Sequence, residues 1–208
     1  MSRLAAWAFW SRFCWALMLL TLSACSDSPR LDYLPADARL LAFGDSLTRG
    51  TGAEVEQSYP AHLSRLIDRQ VINEGIPGEV SAEGLARLPG VLDRVQPDLL
   101  LLCHGGNDIL RSLDEVQLAQ NLQAMIDLAL ARGIDVVLIP VPKRSLLLRA
   151  EPLYRQLAER NQLPLAPDIV ADVLGEASLR SDRIHPNGEG YGKIAAALAE
   201  LLAERGAL

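Results

Sequence analysis

The stretch Leu99-Leu100-Leu101-Leu102-Cys103-His104-Gly105-Gly106-Asn107-Asp108 sets five apolar residues in a row, then breaks them with a ring, two glycines and an amide–acid pair. A strand with one face in water alternates apolar and polar residues. An unbroken run of five suits a strand covered on both faces, the situation of a strand inside a parallel sheet. The glycine pair marks where the run stops.

Outward from this run the chain alternates strand and helix. Arg39 to Phe43 reads as a short strand stopped by Gly44, and Val71 to Asn73 as a second, followed by a Gly/Pro-rich loop through Gly78. Asp135 to Ile139 is another buried strand, and Leu163 to Ala166 a short fifth one. Between them lie helical patterns. Ser58 and Pro60 are start signals for a helix to Arg69, with Leu63, Leu66 and Ile67 on one face. Ala82 to Val95 is helical with an expected interruption near Pro89-Gly90. Asp114 to Ala131 carries the 3.6-residue period, Pro152 to Arg160 is a helix, and Asn187 to Glu204 is a long final one. This alternation demands a parallel sheet with helices on both faces. Sites in such sheets form at the carboxyl ends of the strands, which selects the loops beginning at Gly44, Gly75, His104 and Pro140.

The first 24 residues differ from the rest. Their only charges are Arg3 and Arg12, followed by a largely apolar run from Phe13 to Leu22 and then Ser23-Ala24-Cys25. A basic start, a short apolar stretch and small residues before a cut make an export signal. A comfortable transmembrane helix needs about 20 apolar residues, more than this run supplies. Leu22-Ser23-Ala24-Cys25 is similar to a bacterial lipobox, whose cysteine is acylated and becomes the mature N-terminus. An uncleaved N-terminal anchor and a plain signal cut nearby are the alternatives. All three put the catalytic part outside the cytoplasm. The expectation is a periplasmic, membrane-anchored lipoprotein. Residues 1–24 are its signal peptide, 25–37 a lipidated tether and 38–208 the hydrolase domain, with the membrane surface as partner through Cys25.

Half of the residues are apolar and 22% are charged, an ordinary globular composition. Loss of Arg3 and Arg12 takes 20 Lys and Arg against 26 Asp and Glu to 18 against 26, a net of −8. With no basic cluster, nucleic acid is excluded as a partner. Of three cysteines, Cys14 leaves with the signal and Cys25 carries lipid, so Cys103 has no partner for a disulfide within the mature chain. It reads as a buried core thiol rather than a nucleophile. Three histidines without metal-ligand spacing argue against a zinc site, and no cofactor is implied.

Four segments carry chemistry. Gly44-Asp45-Ser46-Leu47-Thr48-Arg49-Gly50 puts a serine just past a strand, although Gly-Asp-Ser is also ordinary turn chemistry. Asp182-Arg183-Ile184-His185-Pro186 offers a base and an orienting carboxylate three residues apart, as a serine nucleophile requires. The bland alternative has Asp182 or Arg183 capping the last helix and His185 on the surface. Gly105-Gly106-Asn107-Asp108 offers close backbone approach and a neutral amide donor, or simply a turn. Asn73-Glu74-Gly75-Ile76-Pro77-Gly78 could present a glycine N–H to a developing oxyanion, or again be only a turn.

In this order the segments resemble the SGNH, or GDSL, hydrolase family. Its blocks are matched by Gly44-Asp45-Ser46, by Gly78, by Gly105-Gly106-Asn107-Asp108 and by Asp182-Arg183-Ile184-His185, and the resemblance runs from Arg39 to the C-terminus. The thioesterase I/lysophospholipase/arylesterase subgroup is the nearest in Phe43 to Gly50 and in Gly84-Leu85-Ala86-Arg87-Leu88-Pro89. The resemblance implies a flavodoxin-like three-layer α/β/α fold with a five-stranded parallel sheet, hydrolysing esters or thioesters without metal. It implies Ser46 as nucleophile, His185 as base and Asp182 as its orienter. The oxyanion donors would be the Ser46 and Gly78 backbone N–H and the Asn107 amide. Gly75 competes with Gly78, and Glu79 beside it would disfavour anionic substrates. His104 reads as a satisfied loop histidine or as a lining residue, His62 as structural.

The substrate is a small-molecule ester. Leu146-Leu147-Leu148 between cations could form an apolar lip for an acyl chain, or lie buried under its loop. The lip, with the tether, favours fatty-acyl esters such as lysophospholipids. A carbohydrate O-acetylesterase is the alternative. Only Tyr33, Phe43, Tyr59, Tyr154 and Tyr191 follow Cys25 as aromatic side chains, which weighs against sugar stacking. A non-catalytic binding lipoprotein is the rival from another class.

Overall fold

The computed structural model describes residues 29–143, 149–150 and 152–208. The expected export signal, Cys25 and the leucines 146–148 lie outside the described residues. In chain order the main elements are β1 (Arg39–Gly44), α1 (Ser46–Arg49), α2 (Tyr59–Ile67), β2 (Gln70–Gly75), α3 (Ser81–Val95), β3 (Leu99–Cys103) and α4 (Gly106–Leu110). They continue with α5 (Glu115–Leu130), β4 (Asp135–Leu138), the short pair β5 (Pro142–Lys143) and β6 (Arg149–Ala150), α6 (Pro152–Asn161), α7 (Ile169–Gly175) and α8 (Gly188–Glu204).

The main sheet has the order β2-β1-β3-β4 with every pairing parallel. β1 and β3 sit in the middle, and all five residues of β3 are buried, as the apolar run requires. The chain leaves β1 in one direction to form β2, then crosses back past β1 to form β3. Right-handed crossovers therefore put α2 on one face and α3 on the other. α2 packs with α8 on its face, and α3 with α5 on the opposite one. This is a three-layer α/β/α arrangement. Its strand order reverses between β1 and β3, and a crevice opens there at the carboxyl ends of the strands.

The expected fifth strand is reduced to a single parallel bridge, Leu138 with Leu165, flanked by Leu138 N–H to Pro164 O at 3.0 Å and Ala166 N–H to Leu138 O at 2.9 Å. Pro164 and Pro167 bracket the segment, and neither has an N–H with which to extend a ladder. The sheet therefore has four strands, with the fifth position held by one bridge. The expected break at Pro89-Gly90 is absent: α3 runs unbroken through Pro89. A proline inside a helix costs about 3 kcal/mol. The stripe Leu88, Val91, Leu92 and Val95, all buried, offsets it at about 1.5–3 kcal/mol for each fully buried side chain.

The segment expected to be a tether is in part a piece of the domain. Leu31 and Leu34 are buried, and their N–H groups donate to Arg205 O at 3.0 Å and Ala207 O at 2.9 Å. The Asp32 N–H donates to Asp135 Oδ2 at 2.7 Å. The two leucines are apolar enough to be drawn onto the end of α8.

Gly90 is exposed, and a β-carbon there would meet nothing within 4 Å. Gly90→Ala is expected to stabilise the fold by about 0.5–1 kcal/mol, read in thermal melts as a rise of about 2–4 °C.

Candidate active site

Ser46 is the first residue of α1, directly beyond β1, and Asp45 caps that turn by accepting the Leu47 N–H at 3.1 Å. The other Asp45 oxygen accepts the Gly106 N–H at 3.2 Å. Burial pushes the Asp45 carboxyl up, against the opposing pull of His104 and of the two N–H donors, and its pKa is raised on balance. The carboxylate thus ties the loop after β1 to the loop after β3. Gly75, at the end of β2, lies so close to α1 that a β-carbon would collide with the Arg49 amide. The glycine is required there by contact with neighbouring backbone.

On the C-terminal side, residues 181–186 form a tight turn in which the Ser181 N–H donates to His185 O at 3.0 Å. Asp182 Oδ1 accepts the N–H groups of Ile184 and His185, each at 2.8 Å. Its Oδ2 lies 2.8 Å from His185 Nδ1, and His185 Nε2 lies 3.0 Å from Ser46 Oγ. A carboxylate can only accept, so Nδ1 carries the proton and Nε2 is left to accept from the serine hydroxyl. Slight burial pushes the Asp182 carboxyl up, but the imidazole and the two N–H groups outweigh it and hold it below its ordinary value. Asn187, not Asp182 or Arg183, caps α8, accepting the Gly190 N–H at 3.0 Å. Asp182 is therefore free to serve the histidine. Such a chain can carry a proton off the hydroxyl while the carboxylate stabilises the imidazolium.

Across the crevice, Asn107 stands in the first turn of α4 and gives one amide hydrogen to Glu79 O at 3.0 Å. Ser46, Asn107 and His185 line one cavity, whose apolar wall includes Leu110, Val141, Leu174 and Ile184. The Gly75 N–H donates to Asn73 Oδ1 at 3.0 Å, so it is already engaged. Gly78 has φ of 81° and its carbonyl accepts from Arg111 at 2.9 Å. Of the two glycines, Gly78 is the one whose N–H is not taken up by Asn73.

Other sequence candidates fall elsewhere. Cys103 is buried, and burial pushes its thiol far above the ordinary range, which leaves no thiolate to react. His62 lies on α2 beside Arg65, at 3.1 Å. His104 is fully buried and away from the cavity lining. The Gly105 N–H donates to its Nδ1 at 2.9 Å, so its Nε2–H is turned to Glu79 Oε2 at 3.0 Å. Glu79 is turned inward as well, against Arg87 Nε at 2.8 Å and Nη2 at 2.7 Å. It does not present its charge to a substrate, contrary to the sequence expectation. The cue missed in the sequence was Arg87, eight residues on, which reaches the carboxylate from the second turn of α3.

Residues 42–193 match the GDSL-like Lipase/Acylhydrolase family. An arylesterase of Vibrio mimicus is 36% identical over 179 residues, covering 80% of this chain and 89% of that one. The thioesterase 1/protease 1/lysophospholipase L1 of Escherichia coli (strain K12) is 32% identical over 171 residues, covering 78% and 82%. The crystal structure of TesA superposes with a TM-score of 0.71 at 29% identity, covering 80% of this chain and 99% of that one.

Burial pushes the Glu79 carboxyl up. The hydrogen bonds from His104 and Arg87 and the charge of Arg87 outweigh it, bringing the group from 4.5 to about 2. The unfolded chain then binds this proton first as pH falls. The stabilisation from Glu79 is complete above about pH 4.5 and is lost as pH falls toward about 2. Thermal melts across that range should decline more steeply for the native chain than for Glu79→Gln. Parallel curves would show that Glu79 contributes nothing to the acid limb.

Proposed function

The chain belongs to the GDSL-like lipase/acylhydrolase family and is a serine ester hydrolase; from that premise we propose that Ser46 is its nucleophile, with His185 and Asp182 completing the triad, and that fatty-acyl esters are its substrates. The observation that carries this reading is the unbroken run from Asp182 Oδ2 through His185 to Ser46 Oγ, at 2.8 and 3.0 Å.

The reaction has two halves. His185 Nε2 takes the Ser46 proton as Oγ bonds to the acyl carbon, and the carbonyl π electrons move onto its oxygen. The resulting oxyanion is held by the N–H groups of Ser46 and Gly78 and by the second amide hydrogen of Asn107. Collapse of the tetrahedral species expels the alcohol or thiol, which receives its proton from His185, and leaves an acyl-Ser46 ester. Water then gives a proton to the same nitrogen as its oxygen bonds to the acyl carbon; the second tetrahedral species collapses, the bond to Ser46 Oγ breaks, and His185 returns the proton to Oγ as the acid leaves. Asp182, held ionised, offsets the imidazolium charge in each half.

Support for an acyl chain comes from the apolar wall of Leu110, Val141, Leu174 and Ile184 beside Ser46. No Phe, Tyr or Trp is among the described lining residues, so the carbohydrate O-acetylesterase alternative finds no stacking platform. The names of the relatives, arylesterase and thioesterase 1/protease 1/lysophospholipase L1, favour acyl esters and lysophospholipids. Export and acylation at Cys25 in the periplasm complete the reading, resting on the sequence Leu22-Ser23-Ala24-Cys25.

Ser46→Ala should abolish both turnover and labelling by a fluorophosphonate, while Asn107→Ala should lower kcat by about 10²–10³ and keep the label. Labelling that persists in Ser46→Ala would remove the nucleophile assignment. Across p-nitrophenyl esters from acetate to palmitate, kcat/KM should rise beyond acetate; a sharp acetate preference would overturn the fatty-acyl reading. In a bacterial host, Cys25→Ser should move the protein from the membrane to the soluble fraction, and an unchanged distribution would sink the lipid anchor.

A further inference from the structure

The loop Ile76–Val80, which carries Gly78, is pinned at its two ends through its own backbone N–H groups. The Ile76 N–H donates to Gly44 O at 3.0 Å, and the Val80 N–H to Glu83 Oε2 at 3.1 Å. Its middle is held by the Glu79 N–H on Ile76 O at 3.2 Å, by Arg111 on Gly78 O at 2.9 Å, and by the Glu79 side chain. Glu79 is 6% exposed, and its carboxylate is gripped from two elements: by the Arg87 fork on α3 at 2.8 and 2.7 Å, and by His104 beyond β3 at 3.0 Å. Arg87 is itself fixed. Its guanidinium lies 4.1 Å above the Phe43 ring of β1 and donates to Glu74 O of β2 at 3.1 Å. His104 is fixed too, since its carbonyl accepts from Tyr154 Oη at 2.7 Å and its Nδ1 from the Gly105 N–H at 2.9 Å.

The consequence falls on the same residue's backbone. The Glu79 carbonyl accepts one hydrogen of the Asn107 amide at 3.0 Å. A terminal amide turns easily about its last bond, and its second hydrogen points where the first one lets it. Resting on the reading of Asn107 as an oxyanion donor, we infer that Glu79 is a positioning residue of the ester hydrolysis, whose carboxylate, clamped by Arg87 and His104, aims its own carbonyl at Asn107 and so sets the amide's free hydrogen toward the oxyanion. A buried, paired carboxylate suits this task because its several charge-assisted bonds leave it one position. An oxyanion donor must be placed to within a few tenths of an ångström, and misplacement by about 1 Å can cost about 10²-fold in rate. This also accounts for an ionised acid beside an active site that it does not touch.

The test is a double-mutant cycle in the full chain, with kcat and KM measured separately on p-nitrophenyl butyrate and folding followed by thermal melts. Glu79→Gln keeps the shape and removes the charge. It should lower kcat by about 10- to 100-fold and leave KM within about twofold. Affinity for a trifluoromethyl ketone of matching chain length, which mimics the oxyanion, should fall by the same factor. Glu79→Asp, charged but one methylene short, should recover part of kcat. In the Asn107→Ala background the Glu79→Gln factor should shrink to about threefold or less, because the group through which Glu79 acts is gone. A merely structural role would multiply in full. Arg87→Lys keeps the charge without the fork, and takes the place of Glu79→Gln in the same cycle should that variant fail to fold. Native kcat in Glu79→Gln, or full multiplication of the two effects, overturns the inference while leaving the triad intact. Native kcat in Asn107→Ala instead removes the oxyanion donor itself, and the inference with it.

Discussion

The carboxylate of Asp45 is buried at the point where the strand order reverses, and its two oxygens accept N–H groups from Leu47 and from Gly106, 61 residues further along. Removing a carboxylate from water without partners costs several kcal/mol. The two loops are therefore held at the separation that gives it both donors. Ser46 adjoins one of those loops and Asn107 the other, so the distance between hydroxyl and amide follows from this junction. Gly75 closes the third side by letting β2 approach α1 within backbone contact. The sheet supplies rigid strand ends, and Asp45 fixes their spacing.

The two halves of the site are built differently. The histidine half is a surface turn, in which the Asp182 side chain is 53% exposed and the His185 side chain 13%. Its order comes from three bonds onto one carboxylate. An imidazole that alternately takes and gives a proton is served by proximity to water. The half around Gly78 and Asn107 is backed by the buried Glu79 and His104 and by the partly buried Arg87. There the low dielectric strengthens each polar contact and makes an unpaired one costly. The proposed oxyanion donors thus lie on the side tied to buried groups, and the proposed base on the surface turn.

Much of this was legible in the chain. Strands β1, β3 and β4 could be read because both faces are covered and the apolar runs are continuous. That Ser46, Asp182 and His185 come together was expected from the likeness of their segments to the SGNH family, and the structure brings the three side chains into one hydrogen-bonded run. The fifth strand shrank to one bridge because Pro164 within its run and Pro167 just after it take donors from the ladder. The expected break at Pro89 failed for the opposite reason, since burial of the stripe around it outweighs the local penalty. The helices α1, α4 and α7 are too short to show a period. Gly75 and Gly78 could not be told apart without knowing that Asn73 takes the Gly75 N–H. Glu79 was expected to turn its charge toward the substrate; its partners lie on two other elements, brought near only by the crossover through α3.

Leu31, Asp32 and Leu34 are fastened to Arg205, Ala207 and Asp135, at the end where β4 begins and α8 finishes. Ser46 and His185 lie at the other end, where β1 finishes and α8 begins. The chain is thus gripped by one pole and open at the other. The described N-terminal segment therefore joins the domain at the pole opposite the crevice.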